Sequence, residues 1–346
     1  MTEINSTNII DNIVSSDKPI VSIIIPTWNG KHLLSTCLES LKNIDSIVVI
    51  IVDDKSDDDT VLWLAEAYPS ATVIRQPVRR GFAAAVNAGI RACNTPYIAL
   101  LNNDAVAEPE WIVASVRALT SMPTYAVCVP KIVYTDQQST INSVGVYLKW
   151  YGASGDIGIG EPDDGRFSSY AEVFGFTGCA VVFRREVFAK VGLFDEWLEA
   201  YGEDLDWTLR ARKQGLRFMF CPDARVRHRG GATFGRRSQR AVFLQSRNSV
   251  VVIAKHLPMS SFVRNAPGLV AFNIYQVMVN VLRRRGYAAL LGKVHGLWHA
   301  WARRHIYRAS AEVRNEMGGC DDPLRTVLPF RPIELPTIKN RAEGHG

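Results

Sequence analysis

The sequence predicts an α/β protein built on a doubly wound, mostly parallel sheet, with a smaller antiparallel part and helices near its C-terminal end. Three observations predict this class. Short β-branched runs alternate with helical segments over the first 130 residues, as in parallel sheets covered by helices. After Pro130 the apolar runs become short and are interrupted by glycine. From Ser238 onwards the pattern is helical.

Each element of the first part follows from a local pattern. The run Val21–Pro26 is a buried strand, because it is continuously apolar and ends at a residue without an N–H group. Leucines recur at helical spacing in Lys31–Lys42, and aspartates begin the helix Asp57–Tyr68, where the helix dipole favours them. The remaining strands are predicted at Ile47–Val52, Ala71–Arg75, Tyr97–Leu101 and Tyr125–Val129, and the remaining helices at Gly81–Ala92 and Pro109–Thr120.

The elements after Pro130 are less regular. The predictions, in chain order, are short antiparallel strands in Ile132–Trp150, a mobile Gly/Asp/Ser loop at Gly152–Ser169, a strand at Val173–Phe183, a helix at Gly202–Gln214, and three further helices at Gln239–Lys255, Phe262–Arg283 and Tyr287–Arg308.

Composition and charge limit the function. Hydrophobic residues make up 47% of the chain and charged residues 21%, which excludes a disordered or collagen-like protein. Residues 1–224 hold 19 basic and 28 acidic residues, whereas residues 225–311 hold 16 basic residues and no acidic one. This asymmetry predicts an acidic catalytic part and a basic part that meets anionic lipid or nucleic acid. An arginine-solvated helical face is the alternative, and no nucleic-acid-binding motif is present.

Polar side chains follow two predicted strands, at the sheet edge where ligands of α/β proteins collect. Asp53 and Asp54 follow the second strand, where a carboxylate either binds a nucleobase or ribose or caps a helix. Asn102, Asn103 and Asp104 follow the fourth strand, and they either hold a divalent cation against a diphosphate or form a turn. No G-x-G-x-x-G fingerprint follows the first strand.

Two further groups suggest acid–base and metal chemistry. Glu203, Asp204 and Asp206 begin a helix, on which Asp204 and Asp206 point apart. A carboxylate there either acts as a general base on a hydroxyl or matches the helix dipole. His228 stands among arginines that oppose its protonation, so it is either a neutral metal ligand or a surface histidine.

Taken in this order, seven segments resemble family 2 inverting glycosyltransferases with the GT-A fold, a Rossmann-like sheet. The resemblance extends from Val21 to about Asn248. The Asn-Asn-Asp and Gly-Glu-Asp motifs are most similar to bacterial rhamnosyltransferases of surface polysaccharide synthesis. The segments are VSIIIPTWNG, IVDDKSDDDT, GFAAAVNAGI, ALLNNDA, FTGCAVVFRREVFAKVGLFDE, YGEDLDWTLRARKQG and SRN.

The resemblance implies a role for each matching residue. Asp204 would be the catalytic base, and Asp104 and His228 would hold Mg²⁺ or Mn²⁺. The residues that would bind the nucleotide sugar are Pro26, Thr27, Asn29, Asp54, Gly81, Asn87, Asn102 and Asn103. Those that would contact the acceptor are Gly178, Cys179, Glu203 and Trp207. Two acidic positions of the family's D-x-D motif are asparagine here, which predicts a weak metal site.

The same resemblance implies the reaction and the division of the chain. The enzyme would transfer a sugar, rhamnose from dTDP-rhamnose as the first candidate, to a hydroxyl of a glycan or lipid-linked glycan. Another donor such as UDP-galactofuranose or a UDP-hexose, or a nucleotidyltransferase reaction, is the alternative. The expected parts are a loose lead (1–20), a catalytic domain (21–237) with a nucleotide-sugar half (21–130) and an acceptor half (131–237), a basic helical region (238–317) and an irregular tail (318–346).

The basic helical region also predicts the location of the protein. The uncharged run Gly268–Leu282 is 15 residues long, too short to span a bilayer, and the next helix mixes tryptophan with arginine. We therefore expect a cytoplasmic protein held peripherally on the inner face of the cell membrane by anionic lipid. The alternative is that these helices pack on the catalytic domain or form a homodimer.

Overall fold

The computed structural model describes residues 18–230, 238–304 and 331–333. Most of the predicted lead, the end of the last predicted helix after residue 304, and nearly all of the predicted tail lie outside the described residues.

The first half alternates strands and helices as predicted. Its elements are β1 (Val21–Thr27), α1 (Lys31–Glu39), β2 (Ile47–Asp53), α2 (Thr60–Ala67), β3 (Thr72–Arg75), α3 (Phe82–Ala92), β4 (Tyr97–Leu101), β5 (Ala105–Ala107), α4 (Trp111–Ser121) and β6 (Val127–Tyr134). The elements that follow are β7 (Ile141–Ser143), β8 (Val146–Leu148), β9 (Ser154–Asp156), β10 (Ala171–Val173), β11 (Ala180–Arg184), α5 (Val187–Val191), α6 (Glu203–Lys213), β12 (Phe218–His228), α7 (Gln239–His256), α8 (Met259–Leu282), α9 (Gly286–Ala302) and β13 (Arg331–Pro332).

A large sheet forms the centre of the molecule, with the strand order β13-β10-β12-β6-β11-β4-β1-β2-β3. The strands β4, β1, β2 and β3 are parallel neighbours. Strand β11 lies antiparallel between β4 and β6 and joins this parallel half to the second half. The predicted α/β fold with a parallel sheet, an antiparallel extension and C-terminal helices is confirmed.

The apolar run of β1 explains why this strand lies at the centre. Its successive side chains point to opposite faces of the sheet. Ile23 and Ile25 pack in the core with residues of α1 and α4, whereas Ile24 packs with residues of α3. Gly89 lets α3 approach closely, because a Cβ atom there would lie 2.5 Å from Cγ2 of Ile24. Both faces are covered, which fixes the carboxyl ends of the strands at one edge.

Three predicted elements differ from the structure. The single strand expected at Val173–Phe183 is divided into β10 and β11, because the chain leaves the central sheet after Val173 and Gly175 pairs with Val146 of β8 instead. The loop expected to be mobile contains β9, which pairs with β8. The strand expected to end before Pro130 continues as β6, since Pro130 lies beside an irregularity in its pairing with β12 and its missing N–H is tolerated there.

The first of the C-terminal helices, α7, packs against α6 and against β8 of the separate two-stranded sheet β8-β9. Val251, Val252 and Ile253 of α7 enter a core cluster with Phe174 and Leu209. Helix α9 lies along α7. The limits of the predicted domains stay a prediction.

Candidate functional site

A cleft of about 610 Å³ opens at the carboxyl ends of β1, β2 and β4 and is closed on the other side by β8, β9 and the start of α6. It collects most of the predicted site residues, although they come from distant parts of the sequence. The predicted residues that line it are Pro26, Thr27, Asp54, Asn102, Asn103, Asp104, Gly178, Cys179, Glu203, Asp204 and His228.

Asp54 fixes a turn at one wall of the cleft. Its Oδ1 accepts a hydrogen bond from the Arg80 backbone N–H and its Oδ2 from that of Gly81, both at 2.8 Å. Burial raises the pKa of Asp54, although these two hydrogen bonds oppose the rise. Gly81 has a φ of +88°, a conformation that favours glycine. The carboxylate therefore shapes the cleft wall in addition to lining the cleft.

Trp28 and Arg79 stand beside Asp54 and also line the cleft. The Arg79 guanidinium lies 3.3 Å from the centroid of the Trp28 ring, a stacked cation–π contact. Trp28 was not predicted as a site residue. Its position one residue after the end of β1, at the edge where the cleft lies, is the one feature of the sequence that could have indicated it.

Thr27 and Asn103 join the ends of β1 and β4. The Asn103 side-chain Nδ2 donates to Thr27 Oγ1 at 3.0 Å. Gly30 permits this contact, because a Cβ atom there would lie 2.4 Å from Thr27 Oγ1 and 2.5 Å from Asn103 Nδ2. Asn103, the second asparagine of the Asn-Asn-Asp motif, thus orients the loop that carries Asp104.

Asp104 and His228 face each other at the bottom of the cleft. Oδ1 of Asp104 lies 3.2 Å from Nε2 of His228, and Nδ1 of His228 lies 3.0 Å from Oδ1 of Asn142. The Asn142 contact orients the ring, as partners of metal-ligating histidines do. Burial alone would lower the pKa of His228, but Cys179 and Asp104 raise it to about 10. The ring therefore faces a carboxylate, and not the neighbouring arginines of the sequence that were expected to oppose its protonation.

These two side chains fit a divalent cation of octahedral geometry. Two adjacent ligands, each about 2.1 Å from such an ion, are about 3 Å apart, close to the observed separation. Within the described residues, no group of three or more His, Cys, Asp or Glu side chains could hold a metal ion. The protein would therefore supply two ligands, and Mg²⁺ typically takes its others from water and substrate phosphates.

The charges of the cleft also favour a cation. Asp54, Asp104, Asp156, Glu203 and Asp204 all line it. The basic side chains among the described lining residues are Arg79 and His228. A diphosphate entering between these carboxylates requires additional positive charge to be stable there.

Asp204 lies at the opposite side of the cleft, in the first turn of α6. Its Oδ2 accepts from the Gly178 N–H at 3.1 Å and its Oδ1 from the Leu205 N–H at 2.7 Å. Burial raises the pKa of Asp204, although these hydrogen bonds oppose the rise. Burial and the neighbouring Asp204 raise the pKa of Glu203 well above its ordinary value. A carboxylate with a raised pKa is a stronger proton acceptor, which suits a general base.

Four predicted site residues do not line the cleft. Trp207 is completely buried among aromatic rings, including Phe176 and Phe183, so the prediction of acceptor contact is wrong for it. The side chain of Asn87 is bound to the backbone of Phe194 and to Glu196. The other two, Asn29 and Gly81, are not among the residues that line the cleft.

Asn29 supports the turn after β2. Its backbone N–H donates to Ser56 Oγ, and its side-chain Oδ1 accepts from the Asp57 N–H, both at 2.8 Å. Asn29 and Gly81 therefore support turns beside the cleft, whereas Asn87 stabilises the segment that precedes α6. Their roles in nucleotide binding stay predictions.

Asp206 points away from Asp204 and is completely buried. It contacts Arg210 Nε at 2.9 Å, and Lys255 Nζ and His256 Nε2 at 2.8 Å each. Burial opposes its ionisation, but His256, Lys255 and Arg210 lower the pKa of Asp206 far below its ordinary value. Within the acidic cluster, Glu203 and Asp204 therefore line the cleft, whereas Asp206 joins α6 to α7.

Several lining residues were not predicted. The loop expected to be mobile places Ser154, Gly155, Asp156 and Ile159 at the cleft, and α7 contributes Gln245. Their sequences carry no motif. Their position depends on the pairing of β8 with β9 and on the packing of α7, which only the folded chain defines.

Known proteins match both the sequence and the fold. Residues 22–192 match the family model "Glycosyl transferase family 2". A pre-mycofactocin glycosyltransferase of Mycobacterium tuberculosis is 29% identical over 213 residues, which are 60% of this chain and 42% of that protein. The O-antigen biosynthesis protein RfbC of Myxococcus xanthus is 25% identical over 227 residues, 62% of this chain and 18% of that protein. The chain thus spans less than half the length of these relatives.

Two solved structures share the fold. GalNAc-T7 with UDP, GalNAc and Mn²⁺ matches 69% of this chain and 48% of its own, at 17% identity and a TM-score of 0.53. The mannosyltransferase PcManGT of Pyrobaculum calidifontis with GDP-Man and Mn²⁺ matches 90% of this chain and 83% of its own, at 17% identity and a TM-score of 0.51. The chain therefore has the GT-A fold of these glycosyltransferases, and its residues 22–192 are similar to glycosyltransferase family 2.

Proposed function

We propose that this protein is an inverting glycosyltransferase that moves a sugar from a nucleotide-diphosphate donor to a hydroxyl of a glycan acceptor. The observation that carries the proposal is one cleft with a cation-binding pair, Asp104 and His228, at one side and a buried carboxylate of raised pKa, Asp204, at the other. Diphosphate departure and hydroxyl deprotonation require these two kinds of group.

Asp204 accepts the proton of the acceptor hydroxyl in this reaction. The hydroxyl oxygen attacks the anomeric carbon, the bond from that carbon to the diphosphate breaks, and the configuration inverts in one displacement. The Gly178 N–H keeps the Asp204 carboxylate oriented through Oδ2. Gly178, Cys179 and Glu203 line the cleft on this side and form the proposed acceptor subsite.

Asp104 and His228 would hold Mg²⁺ or Mn²⁺, which neutralises the diphosphate when bound. Pro26, Thr27 and Asp54 form the proposed nucleoside side of the cleft, where Arg79 adds a positive charge. Asn102 and Asn103 stand at acidic positions of the D-x-D motif. The proposed metal site therefore carries less negative charge than it would with acidic side chains at these two positions.

The proposed donor is dTDP-rhamnose and the proposed acceptor a glycan or lipid-linked glycan of the cell envelope. Similarity to an O-antigen biosynthesis protein supports the acceptor class. UDP-galactofuranose and UDP-hexoses are alternative donors.

A donor panel tests the proposal. We would measure the melting temperature with Mn²⁺ and dTDP-rhamnose, UDP-galactofuranose, UDP-hexoses or GDP-mannose, and then the phosphate product released from the donor that stabilises the protein. The proposal expects stabilisation by one donor and release of a nucleoside diphosphate. Release of pyrophosphate would identify a nucleotidyltransferase, and the absence of stabilisation or release with every donor would contradict the proposal.

We also propose that the C-terminal helices hold the protein on an anionic lipid surface at the inner face of the membrane. No helix within residues 18–230, 238–304 and 331–333 is long and apolar enough to cross a membrane. Helices α8 and α9 nevertheless expose large apolar side chains, with Arg264 inside α8, Arg283 at its end and Arg304 after α9. The most exposed are Val263, Tyr275, Met278, Leu282, Tyr287, Leu297 and Trp301. Apolar and aromatic side chains beside arginine suit the lipid headgroup region.

Flotation with vesicles distinguishes the possible occupants of this surface. We expect binding to vesicles that contain phosphatidylglycerol, weakened by salt and by a Leu297→Ser, Trp301→Ser variant. The control is Leu62→Ser, which changes an exposed leucine of α2 instead. No binding to any vesicle, together with a dimer that the double variant dissociates, would contradict the lipid proposal in favour of a second copy of the chain.

A further inference from the structure

A strained loop leads directly into the helix that carries Asp204. Residues 199–202 connect the short 3₁₀ helix Glu196–Leu198 to α6, and three of them have positive φ: Glu199 (+61°), Tyr201 (+67°) and Gly202 (+95°). Side chains other than glycine rarely adopt this conformation, so it persists only where neighbouring groups hold it. The loop joins both sides of the cleft, since the Glu199 carbonyl accepts from the Ala83 N–H of α3 at 2.9 Å.

Asn248 of α7 holds the carbonyl groups of this loop. Its Nδ2 lies 2.8 Å from the Leu198 oxygen, 2.9 Å from that of Ala200 and 2.7 Å from that of Tyr201. The residue is only 1% exposed. The two N–H groups of one amide are therefore shared among three carbonyls of the loop.

Arg247 holds the beginning of the same loop. Its Nη1 contacts Glu199 Oε1 at 3.0 Å, and its Nη2 donates to the carbonyls of Trp197 at 3.2 Å and Leu198 at 3.1 Å. Its Nε donates to Asn248 Oδ1 at 2.8 Å, so the two side chains form one unit and the amide orientation is fixed. Arg247 is 4% exposed.

We infer that Arg247 and Asn248 are positioning residues for sugar transfer, which hold the loop 197–202 so that Asp204 faces the cleft. The inference rests on the proposed function. It implies that the catalytic site extends beyond the family match, which ends at residue 192, into the first of the C-terminal helices. These helices would then serve the chemistry as well as any surface they bind.

The test compares Asn248→Asp with Asn273→Asp. The first keeps the shape but removes the amide donors from the three loop carbonyls. The second removes the same group from α8, where Asn273 Nδ2 donates to the Leu269 oxygen at 2.7 Å. We expect Asn248→Asp to lower kcat roughly 10–100-fold with little change in donor KM, and to shift the acid limb of the pH profile. Asn273→Asp should do neither.

A second readout does not depend on activity. Hydrogen exchange of the amides in residues 199–205 should accelerate in Asn248→Asp and remain unchanged in Asn273→Asp. Unchanged exchange in both variants would overturn the inference, even if the wild-type chain transfers no sugar and the proposed function fails. An active wild type with equal kcat in both variants would overturn the inference and leave the proposed function intact.

Discussion

Replacing Asp206 by asparagine should destabilise the fold without removing the catalytic base. The side chain is completely buried, and its carboxylate contacts Arg210, Lys255 and His256 within 2.9 Å. Asparagine keeps the volume but removes the negative charge that these groups share. Because breaking a buried ion pair typically costs about 3–5 kcal/mol, the loss should lie in this range.

The remaining contacts place the expected loss at the lower end. Arg210 keeps hydrogen bonds to the carbonyls of Val191 and Leu193, and Lys255 keeps Asp195 Oδ2 at 2.8 Å. We therefore expect the free energy of unfolding to fall by about 3 kcal/mol, measured at pH 7 by urea denaturation.

A matched control separates burial from charge. Asp59→Asn removes a carboxylate that pairs with Lys31 at the surface, and should leave the free energy of unfolding unchanged. The folded pKa of Asp206 lies below the unfolded value of about 3.9, so its stabilisation is present above that pH and lost below it. The Asp206→Asn deficit should therefore shrink as the pH falls below about 4. A stable Asp206→Asn variant without transferase activity would refute the reasoning and make Asp206 the base.

Three further changes test other parts of the structure. Burial lowers the pKa of His256 in the folded chain to about 4. As the pH drops, the unfolded chain therefore binds a proton at this residue at a higher pH than the folded chain does. The free energy of unfolding should fall between about pH 6.5 and about pH 4. In urea denaturation across this pH range, the free energy of unfolding of His256→Gln should depend less steeply on pH than that of the wild type. An equal pH dependence in both proteins would contradict this expectation. Trp207→Ala should reduce the free energy of unfolding by about 3–5 kcal/mol in urea, whereas a small change would show that the ring is not core. Asp104→Ala should abolish Mn²⁺-stimulated release of nucleoside diphosphate, and wild-type activity in EDTA would contradict the metal site.

The fold was predictable where local pattern and burial agree. The run of β1 is buried on both faces, so its continuous apolar sequence was enough to predict a buried strand. Asp54 and Asp104 follow strand ends, and parallel topology brings strand ends together. Local rules therefore placed both aspartates at one edge of the sheet, where the cleft lies.

Long-range contacts account for what the sequence did not reveal. Asn142 contacts His228 86 residues away, and Asn87 contacts Glu196 109 residues away. No local pattern indicates either pair. The family resemblance assigned Trp207 to the acceptor, but its side chain and that of Asp204 leave α6 in different directions, one into the aromatic core and one into the cleft.

The stereochemistry of donor hydrolysis by the wild type and by Asp204→Asn tests the central proposal most directly. Water replaces the acceptor, and nuclear magnetic resonance identifies the anomer of the released sugar before it equilibrates. The proposal predicts the inverted anomer from the wild type, and a rate roughly 10²–10⁴-fold lower for Asp204→Asn with donor binding intact. Release of the retained anomer, or an unchanged rate in Asp204→Asn, would contradict it.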